Sequence, residues 1–176
     1  MLVFAILNKG IISYTVAFFG VVTVVFIFGG VEMEMIIREI EERDYPDVLK
    51  IWNNELGNTY LAAENFSLHH ERFRENENYK AFVVDMGDCI AGIIYIMQYA
   101  PWGTESEQFW IQGIAVKGDM QGKGIGARLL SHIEKYGKEK GIDYITLNTG
   151  VKRTAAHAFY ERNGYNSGNY CFGKKL

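Results

Sequence analysis

The sequence predicts one α/β domain, a mixed (α+β) and mostly antiparallel sheet with helices on both faces. Three observations carry that expectation. From Met35 onward, short strand-like runs alternate with amphipathic helical patterns. The runs "YKAFVVDM" and "CIAGIIYIMQY" flank Gly87-Asp88, the two-residue signal of an antiparallel hairpin. The run "QFWIQGIAV" leads through Gly118, Gly122, Gly124 and Gly126 into a helical pattern. With 176 residues, 48% of them hydrophobic and 14% aromatic, the chain is long and apolar enough for one core.

Taken in order, "MIIREIEE" alternates as a strand. Asp44 can cap a helix in which Tyr45, Val48, Leu49, Trp52 and Leu56 share a face, and Gly57 closes it. Ser67 can cap a second helix over "LHHERFRENE". The hairpin follows, and Pro101 stops its second strand. After a polar loop and the strand "QFWIQGIAV", Gly126, Leu129, Leu130, Ile133 and Gly137 line one face of a helix ending near Gly141. "DYITLNT" reads as a strand, Thr154 as the cap of a last helix "AAHAFYERN" stopped by Gly164, and "NYCFGKKL" as a closing strand.

The N-terminus is different. Residues 10–31 carry no charge and are long enough for a bilayer span, which takes about 20 residues. Three readings stand side by side: a start codon placed too early, with the domain beginning at Met33 or Met35; a membrane anchor; or an extra packed element. The expected division is a leader at 1–32 and one domain at 33–176, with a membrane as partner only if residues 10–31 are an anchor.

A formal net charge of -3, with Lys and Arg scattered, offers no basic face for nucleic acid. Cys89 and Cys171 are far apart, and the four histidines form no Cys/His cluster, so no metal site is expected. Both cysteines read as reduced, buried thiols of a cytoplasmic protein.

Glycines opening an otherwise good helix cost about 0.5–1 kcal/mol each relative to alanine. A strand, a loop of small residues and a helix N-terminus together aim backbone N–H groups at one spot, which suits a phosphate. Gln121 and Lys123 can add side-chain donors. A P-loop is excluded, since Gly122-Lys123 is followed by Gly124 and Lys117 stands where the first glycine belongs. A dinucleotide loop is met on paper by Gly122, Gly124 and Ala127, but its strand follows an antiparallel hairpin and the next strand ends in Asn148-Thr149 rather than an acid.

"QGKGIG" also matches the Q/R-x-x-G-x-G/A signature of acyl-coenzyme A transferases, with Gln121, Gly124 and Gly126 at the defining positions. Together with the preceding "IAV", Asn148 and "AHAFYERNGY", the chain resembles the GNAT superfamily of N-acetyltransferases over residues 33–176. The resemblance implies a sheet splayed at a parallel pair formed by its fourth and fifth strands, with the backbone of Ile114 and Val116 pairing with the pantetheine arm of acetyl-CoA. It implies that amides of Gln121, Gly122, Lys123, Gly124, Ile125, Gly126 and Ala127 hold the pyrophosphate. Asn148 would order the pantetheine or a water, and Tyr160 would sit beside the sulfur.

The chemistry implied is direct aminolysis of a thioester in a ternary complex, with acetyl-CoA as cosubstrate. Val116 N–H is the candidate oxyanion donor and Tyr160 the candidate acid for the leaving thiolate. Glu107 is the candidate base for the amine proton; Glu105 and Glu107 read equally as solvated loop charges. His69 and His70 read as helix surface rather than metal ligands, because adjacent residues do not share a helix face. Trp52, Tyr60, Tyr99 and Trp102 are candidate walls of an amine pocket. The expected partners are an amine-bearing small molecule or peptide and a second copy of the chain as homodimer. A coenzyme-binding sensor without turnover is the alternative reading.

Overall fold

The computed structural model describes residues 3–8, 11–18, 21–28, 31–57, 61–168 and 171–174. Its one sheet runs in sequence order from β1 (Val3–Asn8), β2 (Ile11–Phe18), β3 (Val21–Phe28) and β4 (Val31–Glu39) to β5 (Tyr79–Asp85), β6 (Ile90–Tyr99), β7 (Gln108–Val116) and β8 (Tyr144–Leu147). Every neighbouring pair is antiparallel except β7 and β8, which are parallel. Counted from β4, that pair is the fourth and fifth strand, as expected.

Residues before Met33 thus contribute strands. The long apolar run is interrupted by Gly10, Gly20 and Gly30, and each segment between them is rich in β-branched residues, which suits a meander. Strand β4 is shared: its residues 31–36 pair with β3 and its residues 36–39 with β5. Among the described residues, no helix is long and apolar enough to cross a membrane.

Alternation along β5 and β6 builds two cores. Phe82, Val84, Ile94 and Ile96 pack with Leu129, Leu130 and Ile133 of α3 (Ile125–Glu139). Ala81, Val83 and Ile93 pack on the other face with Val48 and Ile51 of α1 (Tyr45–Leu56) and Phe66 of α2 (Ala63–Arg74). Helix α4 (Thr154–Arg162) lies against the first core through Phe159 and Tyr160.

Four local expectations need correction. Asp44 precedes α1, but its carboxylate caps no helix N–H; it accepts from the Glu41 amide at 2.8 Å and from Arg38 at 2.6 and 2.8 Å. Arg38 also donates to Asp85, so an ion cluster joins β4, β5 and the start of α1. Helix α2 begins before Ser67, at Ala63, where Asn65 Oδ1 accepts the Ala62 N–H. Thr154 is the first residue of α4 and Arg153 its cap position. The closing strand is absent among the described residues of "NYCFGKKL", 171–174, where Gly173 weakens the run and Cys171, read as buried, is exposed.

Candidate active site

Strand β8 pairs with β7 only from Gln108–Ile111, whereas β7 stays paired with β6 as far as Val116. The two parallel strands therefore part at Ile111. Gln112 is an extra residue at that point: Ile111 opposes Ile96 and Gly113 opposes Tyr95. The bulge slips the side-chain phase, so Gly113 turns to α1, where a Cβ would lie 2.4 Å from Trp52. Lys117 N–H donates to the Ala91 carbonyl of the β6 side. By strand alternation, the N–H and C=O of Ile114 and Val116 then point away from β6, into the gap left by β8.

That gap is a cleft of about 860 Å³. Ile114 and Val116 line one side, Asn148 and Thr149 after β8 the other, Tyr160 and Arg153 of the α4 segment a third, and Trp52 and Glu55 of α1 a fourth. Gly122, Gly124, Ile125, Gly126 and Ala127 close the end, together with Gln121.

The loop between β7 and α3 explains its glycines. Gly122 and Gly124 have φ of 75° and 81°, the left-handed region that favours glycine. Gly126 is required for a different reason: a Cβ there would sit 3.0 Å from the Phe159 ring. Gln121 N–H bonds the Gly118 carbonyl and Arg128 N–H bonds that of Gly124. Between them, the amides of Gly122 through Ala127 donate to no acceptor among the described residues. A run of free amides at the N-terminus of a 15-residue helix is an anion cradle. The residues present fit a pyrophosphate.

The Gln121 side chain is engaged differently from the sequence expectation. Its Nε2 donates to Glu55 Oε2 at 2.7 Å and to the Val116 carbonyl at 3.0 Å, so it braces the loop instead of facing a phosphate. Lys123 lies outside the cleft lining, with Nζ 3.3 Å from Met120 sulfur. Tyr160 lies in the cleft, its ring edge-on to Phe159 and Tyr165. Burial raises its hydroxyl above the ordinary tyrosine value, with the Arg153 charge pulling the other way.

Glu107 does not line the cleft; its exposed carboxylate accepts from Gln98 Nε2. Glu105 is exposed as well. Of the expected pocket walls, Trp52 lines the cleft, Trp102 is fully exposed, Tyr99 donates to Gln108 Oε1, and Tyr60 lies outside the described residues. His70, read as surface, is buried with Nδ1 3.2 Å from the Tyr95 hydroxyl. Glu55, Arg153 and Thr149 also line the cleft, outside any motif. Arg153 Nη2 donates to the Glu55 carbonyl at 3.4 Å, joining α4 to α1 across the cleft. Only the helical phase of α1, three residues on from Trp52, pointed toward Glu55. Among the described residues, no group of three His, Cys, Asp or Glu could hold a metal ion.

The acetyltransferase (GNAT) family pattern matches residues 36–165. The chain belongs to the GNAT family. An aminoalkylphosphonate N-acetyltransferase of Salmonella typhimurium is 38% identical over 94 residues, which cover 51% of this GNAT chain and 58% of that relative, so the match spans little more than half of the relative's length. Two solved structures share the GNAT fold. An aminoglycoside acetyltransferase from an uncultured soil metagenomic sample, in complex with trehalose, has a TM-score of 0.71 at 19% identity, covering 81% of this chain and 96% of that one. Aminoglycoside N-acetyltransferase AAC(6')-Iy in complex with CoA has a TM-score of 0.71 at 13% identity, covering 82% and 95%.

Proposed function

We propose that this protein transfers the acetyl group of acetyl-CoA to a primary amine by direct attack in a ternary complex. The observation that carries the reading is convergence. The free amides of Gly122, Gly124, Ile125, Gly126 and Ala127, the outward backbone of Ile114 and Val116, and Tyr160 all meet in one cleft. The amides bind the diphosphate, and the open edge of β7 orients the pantetheine arm as an added strand would be.

The Val116 carbonyl is already taken by Gln121, which leaves the Val116 N–H and the Ile114 groups for that arm and for negative charge on the reacting carbonyl oxygen. The Tyr160 hydroxyl, kept protonated by burial, supplies a proton to the departing sulfur. Asn148, on the facing wall, orders the arm or a water. Among the described residues, Glu55 is the one carboxylate that lines the cleft, and it is bound to Gln121, so the amine proton leaves through water. The need for acetyl-CoA places the reaction in the cytoplasm.

The test is calorimetric titration of the full chain with CoA, followed by thiol release from acetyl-CoA across a panel of amines. Binding with amine-dependent release supports the reading. Binding without release from any amine replaces it with a coenzyme sensor, and no binding overturns both.

A further inference from the structure

A second cavity of about 280 Å³ opens between α1, α2 and strands β5 to β7. Trp52 and Gln112 line both it and the cleft, so the two meet at the bulge where β8 departs. Its other walls are rings and aliphatic groups: Phe66, Phe73, Tyr79, Tyr95 and Leu61, with His69 and His70. The rings brace one another: Trp52 stands edge-on to Tyr95 at 5.2 Å, and Phe73 lies 4.9 Å from Tyr79. Among the described residues, no Asp, Glu, Lys or Arg lines it.

Resting on the acetyltransferase reading, we infer that this cavity selects the acceptor, and that the acceptor is an arylalkylamine: an amine carried on a short chain by an aromatic or flat apolar group. Size decides for a ring, since an apolar cavity of about 150 Å³ admits benzene. Charge decides against other amines. A polycationic aminosugar needs carboxylates to offset its desolvation, and an aminophosphonate needs cations; the lining provides neither. His70 and Tyr95 are paired with each other. Burial and the nearby Arg74 lower His70, while burial raises Tyr95, so both stay neutral near pH 7. The ring seats among Phe66, Phe73 and Tyr95, and the amine reaches the cleft past Trp52.

The test uses the full chain and acetyl-CoA with phenethylamine, tryptamine, kanamycin, spermidine and 2-aminoethylphosphonate, read by thiol release. The expected result is kcat/KM for the two arylalkylamines at least about tenfold above the others, the range one apolar contact supplies. Phe73→Ala should raise the phenethylamine KM about tenfold or more. Because that variant also removes ring packing against Tyr79, Leu61→Trp, which fills the cavity, should do the same without lowering Tm. Saturation-transfer NMR of phenethylamine on the CoA-loaded protein separates the two failures. Ring binding without transfer by any amine sinks the acetyltransferase reading alone. Turnover of kanamycin, spermidine or the phosphonate in preference to the arylalkylamines, or absence of both ring binding and turnover, overturns the cavity assignment.

Discussion

Gln121 Nε2 lies 2.7 Å from Glu55 Oε2 and 3.0 Å from the Val116 carbonyl, so one side-chain amide ties the last turn of α1 to the end of β7. The family's glutamine is in this chain a brace for the splayed strand. Gln121→Ala frees the Val116 carbonyl and loosens the loop. The expected outcome is an acetyl-CoA KM raised about fivefold to tenfold, in line with about 1–1.5 kcal/mol for a lost hydrogen bond, with kcat within about twofold. Glu55→Gln, which keeps an oxygen for the bond and removes a charge near the diphosphate, should leave that KM unchanged or lower it. Steady-state kinetics check both, and a kcat collapse in Glu55→Gln would instead make Glu55 the base.

Gly124 caps α3 at φ 81°. Gly124→Ala forces a Cβ into the left-handed region at about 1–2 kcal/mol, which for a chain of this size lowers Tm by about 2–8 °C. Gly126→Ala sets its Cβ against Phe159 and pushes α4, with Tyr160, outward. Its expected signature is kcat reduced about tenfold or more with a smaller loss in Tm than Gly124→Ala shows. Thermal melts and kinetics on the two variants separate backbone strain from displacement of Tyr160.

Tyr160 is raised from its ordinary value by burial, so its proton is held throughout the neutral range. An acid must be protonated to act, and a raised value moves its loss upward. The kcat profile should therefore stay flat on the alkaline side up to about pH 10, the ordinary tyrosine value, and fall only beyond it. Tyr160→Phe should cut kcat about a hundredfold with little change in either KM. A fall of less than threefold would reduce Tyr160 to a wall of the cleft.

Asp44 is 4% exposed and bonded through both carboxylate oxygens to Arg38. Burial pushes its carboxyl upward, but the hydrogen bond from Arg38, helped by the Glu41 amide, outweighs burial and holds it below the ordinary value. A depressed carboxyl adds stability that is present above the unfolded value of about 3.9 and is lost as the pH falls through the lower folded value. Asp44→Asn should cost about 2 kcal/mol at pH 7, and the gap between wild type and variant should shrink below about pH 4. Urea unfolding at pH 7 and pH 3 measures it.

The glycine loop and the cleft wall around Tyr160 were legible in the sequence and the aromatic cavity beside them was not, for physical reasons. A phosphate site is made of backbone, and backbone geometry writes itself locally: Gly122, Gly124 and Gly126 stand within one turn of the helix they open. Tyr160 is marked by its neighbours in "FYERNGY". The aromatic cavity is assembled from distant places, and nothing in "LHHERF" says that His70 will meet Tyr95, 25 residues later, across a helix and a strand. Arg38, Asp44 and Asp85 form their cluster over 47 residues of separation in the same way. The first 30 residues illustrate a choice of measure. Counted by apolar length they resemble a span, whereas their glycines at ten-residue intervals mark off the strands found there.

Strand β8 grips its neighbour through four residues only, and α4 reaches the rest of the molecule largely through Phe159 and Tyr160. β8 and α4 are thus held over a short seam, while β5 is paired with β6 along its whole length. Amide deuteration should run through β8 and α4 well before it touches β6, and a bound coenzyme spanning the seam should slow it. The coenzyme proposed for this cleft would complete the sheet edge left open at Ile114 and Val116.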